Sequence, residues 1–242
     1  MTLEELETRS YTPYSGQPAA VILESRSGKL YPGVRIENIS FPLTISAMQC
    51  AVVICTSEGE QPVKVYRRTP PSTDGKTDFW ERELDLEYSV EPDFDKELDE
   101  IVTSHDDISH CLQRLLGRSH SPYSNFPVST ILETSGGLVS GVNIEFSAWE
   151  SGLCAERTAI AKAIAGGIDL SSIKALHLHT RHGEYSSPCG ACRQVIIEHL
   201  PQIPVFIHHS DGSLSRHFSS DLLPYSFKSD FLKKNLQHTK NQ

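Results

Sequence analysis

The 242-residue chain is 38% hydrophobic with a formal net charge of −9. That apolar content can fill the core of one large domain or two small ones, and the acidic balance argues against a nucleic-acid partner, which needs clustered Lys and Arg. The opening MTLEELETRS lacks a basic-then-apolar leader and the run AMQCAVVIC is too short to cross a bilayer, so the expectation is a cytoplasmic protein with no membrane association. Six cysteines (50, 55, 111, 154, 189, 192) could pair on paper. A chain of this size needs no disulfide framework, and some are better read as thiols with chemistry to perform.

In chain order, LEELETRS reads as a short opening helix. TPYSGQPAAVILES from Thr12 then returns as SPYSNFPVSTILET from Ser121, with Pro18 opposite Pro127 and Ile22-Leu23-Glu24 opposite Ile131-Leu132-Glu133. After a one-residue slip, GKLYPGVRIE from Gly28 matches GGLVSGVNIE from Gly136. The chain is therefore an internal duplication. The copies part in the apolar helical stretch that follows, where CAERTAIA from Cys154 faces SAMQCAVV from Ser46, so that Glu156 stands opposite Met48. PPSTDGKTDFWERELDLEYSVEPDFDKELDE, between them, reads as linker plus a solvated helix. Ile108, Cys111, Leu112, Leu115 and Leu116 then recur at helical spacing and open the second copy. The expected domains are 1–93, ending in the acidic linker, and 100–242.

In the second copy, FPVSTILE and LVSGVNIE have strand composition and are separated by the turn TSGG, a hairpin. LCAERTAIAKAIAGG reads as a helix stopped by Gly166-Gly167. IKALHLHT is a strand, PCGACRQVIIEHL a helix between Pro188 and Pro201, and PVFIHHS a further strand. Helices alternating with strands give an α/β fold, a sandwich with both sheet faces occupied. His177 and His179 fall on one strand face and read as packed or solvated side chains.

Pro188 suits a first helical position, which places Cys189 and Cys192 on one face of a first turn where the macrodipole favours thiolates. A redox C-x-x-C is the competing reading. Cys154 opens the preceding helix, two residues before Glu156, and βαβ connections bring successive helix starts to one sheet edge. Three thiolates from two helix starts make an incomplete tetrahedron with one open position, as in catalytic zinc sites. Taken singly, Cys154 reads as a small buried hydrophobe and Glu156 as a first-turn acid. Together, C-x-E and P-C-x-x-C correspond to the signature of zinc nucleobase deaminases, with Cys in place of His. A structural zinc module would want a fourth protein ligand.

SPYSNFPV, GVNIE, GLCAERTAIAKAIAGG, SPCGACRQVIIE and LLPYSF, in this order and spacing, resemble the cytidine deaminase family. The resemblance covers the second half; the first half resembles the family as a copy without the metal site. It implies a three-layer α/β/α sandwich duplicated in tandem and one Zn²⁺ per chain, held by Cys154, Cys189 and Cys192. It further implies proton transfer by Glu156, ribose contacts from Asn143 and Glu145, and packing of Phe126 on the pyrimidine. The Ala155 N–H and the Ser187 C=O would read the cytosine edge, and Phe227 would close a neighbouring site. The implied reaction is hydrolytic deamination of cytidine and deoxycytidine in pyrimidine salvage, in a homodimer. A deaminase of an aminonucleoside antibiotic or a nucleotide is the alternative. Phe146, Trp149 and Glu150 depart from the family pattern, whereas the first copy keeps Asn38, Phe41 and Pro42 there. The family's two-domain members carry the catalytic half first and a His ligand; here that half is second and the ligand is Cys.

Overall fold

The computed structural model describes residues 1–68, 79–91, 97–98, 102–103, 107–183 and 186–227. The first copy opens with α1 (Leu3–Glu7), whose start is fixed by a capping box in which Thr2 and Glu5 satisfy each other's backbone N–H groups. β1 (Ala20–Ser25) and β2 (Leu30–Val34) form a hairpin, α2 (Ala47–Ser57) follows, and β3 (Pro62–Arg67) returns beside β1. α3 (Phe79–Leu84) and β4 (Glu87–Val90) complete a sheet of order β2-β1-β3-β4.

The second copy repeats the plan with α4 (Ile108–Leu115), β5 (Val128–Glu133), β6 (Leu138–Val142), α5 (Ala155–Ala165), β7 (Ala175–Thr180), α6 (Gly190–His199) and β8 (Pro204–His208). It adds β9 (Leu214–Phe218) and α7 (Ser219–Leu222), giving the order β6-β5-β7-β8-β9. Ser129 Oγ donates to Leu112 O of α4, while Gly141, opposite Thr130, faces α5. Adjacent strand residues point to opposite faces, so α4 and α5 cover the two sides and the layers are α/β/α.

The duplication extends to register. Ala20 pairs with Val34 as Ser129 pairs with Val142, and the Ile36–Ile45 bridge recurs as Ile144–Leu153. A Cβ on Gly33 would sit 2.2 Å from Ala47 O, and one on Gly141 would sit 2.4 Å from Ala155 O. Each glycine thus lets a helix lie directly on its hairpin, because any side chain would lift the helix off the strand. The left-handed turn at Gly16 (φ 65°) is taken at the equivalent Asn125 (φ 51°), the other residue type that tolerates it.

Two expectations are corrected. Pro188 does not start α6: it precedes Cys189, which is the N-cap, its sulfur accepting from Cys192 N at 3.4 Å. A sulfur acceptor can satisfy an orphan N–H of the first turn, so the cap falls on the cysteine. The helix expected as solvated, α3, instead buries Trp80, whose ring meets Phe146 edge-on at 5.1 Å, and the acidic stretch also supplies β4, parallel to β3. The rest of that stretch lies outside the described residues. β9 and α7 had no counterpart in the sequence reading. No helix among the described residues is long and apolar enough to cross a membrane.

Candidate metal centre

β6 and β7 both run antiparallel to β5 and so point the same way. α5 leaves the end of β6 and α6 the end of β7, which brings both helix starts to one edge. Cys154 is the N-cap of α5, Cys189 the N-cap of α6, and Cys192 lies in the first turn of α6. Their three sulfurs lie within 4.8 Å of one another, with Cys154 and Cys189 3.7 Å apart. A tetrahedral zinc with Zn–S distances of about 2.3 Å sets its sulfurs about 3.8 Å apart, so the cluster fits that ion. Among the described residues no His, Asp or Glu joins the group, which leaves one tetrahedral position open.

Electrostatics distinguish the sulfurs. Hydrogen bonds from the Cys154 and Cys192 thiols, then backbone N–H groups of Cys192 and Ala191, hold Cys189 far below the usual thiol range. Hydrogen bonding to that sulfur pushes Cys154 up, and hydrogen bonds with Cys154 and then Cys189, with burial, push Cys192 up. Glu156 is 3% exposed. Burial first, and then the Cys189 charge, raise its carboxyl to about 7, where an acid can both take and give a proton at neutral pH. Arg157 donates from Nη2 to Leu43 O at 2.9 Å.

A cavity of about 240 Å³ opens beside Cys154, lined by Asn143, Glu145, Trp149, Glu150 and Arg157 among others. Asn143 Oδ1 accepts from Ser119 Oγ at 2.6 Å and Val128 N at 2.8 Å, and its Nδ2 donates to Phe126 O at 3.0 Å. Glu145 accepts from Tyr123 N at 3.0 Å, Ser124 N at 3.1 Å and the Ser124 hydroxyl. Both side chains therefore shape the 119–128 loop that carries Phe126. Glu37 binds Tyr14 N, Ser15 N and the Ser15 hydroxyl in the same way, so this carboxylate builds the loop even in the copy without counterparts of Cys154, Cys189 and Cys192. Phe126 is 40% exposed and does not line that cavity. Ala155 is the first residue of α5.

Sequence reading missed Arg193. Its Nη2 donates to Ser187 Oγ at 2.6 Å, Nε to Pro188 O at 2.9 Å and Nη1 to Leu222 O at 3.2 Å. One planar fork thus fixes the turn before Cys189 against the end of α7. Its position four residues after Cys189 was the available signal, one turn along the same helix face. Phe146 is buried beneath α3, whereas Trp149 is 64% exposed at the cavity rim.

Residues 102–207 and, separately, residues 3–69 match family profiles described as the cytidine and deoxycytidylate deaminase zinc-binding region. A cytidine deaminase of Sporosarcina psychrophila is 39% identical over 117 residues, covering 48% of this chain and 85% of that protein. One of Mycoplasma genitalium is 34% identical over 118 residues, 48% of this chain and 90% of its own. The solved structure of a cytidine deaminase from Burkholderia pseudomallei overlays on 49% of this chain and 94% of its own, at 33% identity and a TM-score of 0.46.

Proposed function

The chain belongs to the cytidine deaminase family, and from that premise we propose that it hydrolyses cytidine and 2′-deoxycytidine to uridine and 2′-deoxyuridine with release of ammonia. The observation that carries this reading is the pairing of a three-cysteine cluster, open at one position, with a carboxyl buried in the first turn of α5. A structural zinc module has no use for such a carboxyl and would fill the fourth position from the protein.

Zinc, when bound, supplies Lewis-acid activation of water at neutral pH. Cys154, Cys189 and Cys192 hold it. Glu156 accepts the proton of the attacking water, delivers it to N3 of the base as C4 is attacked, and passes a proton to the departing amine. The Ala155 N–H and the Ser187 C=O face the cytosine edge, and Arg193 keeps the turn of Ser187 in place. Phe126 packs on the ring. Asn143 and Glu145, held rigid by their loop contacts, use remaining hydrogen-bonding capacity on the ribose hydroxyls. Their rigidity lowers the ordering cost of that contact.

Residues 1–93 form the non-catalytic copy and 100–242 the catalytic domain, so one zinc is held per chain. The enzyme works as a cytoplasmic homodimer in pyrimidine salvage. The test is the ultraviolet change on adding zinc-loaded protein to cytidine, with Glu156→Gln alongside. Conversion to uridine by the unsubstituted protein alone supports the reading, and untouched cytidine sinks it.

A further inference from the structure

One short segment of the first copy holds the far ends of both helices that carry the cysteines. Arg9 Nη1 donates to Ala165 O, the last residue of α5, at 2.8 Å. Its guanidinium packs so closely that a Cβ on Gly167 would lie 3.0 Å from Arg9 Nε. Tyr14 Oη donates to Glu198 Oε1 at 2.7 Å, and Tyr11 Oη approaches the same oxygen at 3.4 Å. Ile39 N donates to Glu198 Oε2 at 2.9 Å, and the Tyr11 ring meets His199 edge-on at 4.7 Å. Glu198 and His199 are the last two residues of α6. Each helix therefore has its N-terminus at the sulfurs and its C-terminus against residues 9–14 of the other copy.

We propose that Arg9, Tyr11 and Tyr14, acting through Ala165 O and Glu198, are positioning residues: a brace that fixes the angle between α5 and α6 and so the separation of Cys154 from Cys189 and Cys192. The inference rests on the reading of these cysteines as zinc ligands. Glu198 lies nine residues from Cys189, about 13 Å at 1.5 Å per residue, so a tilt of about one degree about that end moves the sulfur by about 0.2 Å. That is the tolerance within which metal–ligand distances are held. Cys154 sits on one arm and the Cys189–Cys192 pair on the other, so no contact within a single helix sets the gap between them. The brace also gives the copy without the three-cysteine cluster a reason to be retained: it holds the jaw that the other copy closes.

The experiment uses full-length protein loaded with Co²⁺ in place of zinc. It compares the unsubstituted chain with Tyr14→Phe, Glu198→Gln, their double variant, and Ser27→Ala as a first-copy control remote from the brace. Expected are shifted thiolate-to-metal and d–d bands in Tyr14→Phe and Glu198→Gln and, in zinc-loaded samples of the same variants, loss of zinc to a chelator faster by about tenfold, as for other residues that orient metal ligands. The double variant should be no worse than the more severe single one. Tyr14→Phe removes a single hydroxyl, which keeps the comparison available if Glu198→Gln does not fold. Lowered melting temperatures with unchanged bands and unchanged zinc release would overturn the brace, leaving only a structural contact. An unsubstituted protein that shows no thiolate band would overturn the zinc reading and the brace together.

Discussion

At the scale of single residues, the site depends on groups that serve two purposes. Glu156 is buried beside a thiolate, and its raised proton affinity follows from that burial. Glu156→Gln is isosteric and leaves Cys154, Cys189 and Cys192 in place, so the expected outcome is one zinc per chain by metal analysis with turnover reduced by at least about 10²–10⁴. Glu145 combines a place in the cavity with three hydrogen bonds to its own loop. Ser124→Ala removes only the hydroxyl partner of that carboxylate. It should raise KM several-fold with little change in kcat, since the loop loosens while the proton-transfer group is untouched. Equal falls in kcat and kcat/KM would place Ser124 in the chemistry instead.

Among elements, the hairpin and helix pairing is the repeated unit, and its closest approach is at glycine. Gly33→Ala and Gly141→Ala each force a Cβ against helix backbone, and each should lower stability by about 1–3 kcal/mol in denaturant unfolding. Only Gly141→Ala should also speed zinc loss, because the helix it displaces begins at the residue after Cys154. Across the second sheet, His177 Nδ1 lies 3.2 Å from His208 Nε2 on the neighbouring strand. Burial and the nearby His177 and His179 depress His208 to about 4, against the pull of Asp107. Its unfolded value is about 6.5, so between those values the unfolded chain binds more protons and stability falls as pH falls. Melting temperature should drop from about pH 6.5 down to about pH 4, with a shallower fall in His208→Gln; an identical slope would remove His208 from the acid response.

Over the whole molecule, the two copies meet as an isologous pair enclosed in one chain. Arg157 donates to Leu43 O, and its repeat counterpart Gln49 donates to Ser151 O, the counterpart of Leu43. The pseudo-twofold is broken at Lys162, fully buried in α5 and paired with Glu58 of the first copy, where the repeat position holds Ile54. Glu58→Gln strands that cation. It should cost about 3 kcal/mol, the lower end for a broken buried pair because Glu58 is a quarter exposed, and Lys162→Met in the same chain should recover most of it. A fragment of residues 100–242 loses this pairing and the contacts of Arg9, Tyr14 and Leu43 together. It should lose zinc readily, and a fully active monomeric fragment would contradict the role given to the first copy.

The duplication, the clustering of Cys154, Cys189 and Cys192 and the family were legible in the sequence. The duplication and the family show as blocks repeated or kept in order, and each part of the cysteine cluster shows as short spacing at a helix start, which local backbone geometry converts directly into a shared face. The strand pairing of the hairpins followed for the same reason. The burial of Trp80 under Phe146, the Arg193 fork and the conversion of Pro188 into the residue before a cysteine cap depended on what packs nearby, which spacing does not encode. Tertiary structure alone decided which groups of the first copy grip α5 and α6, since those contacts join residues more than 100 positions apart, such as Tyr14 with Glu198 and Glu58 with Lys162. No periodicity records such a meeting, because it exists only once two sheets and their helices have docked.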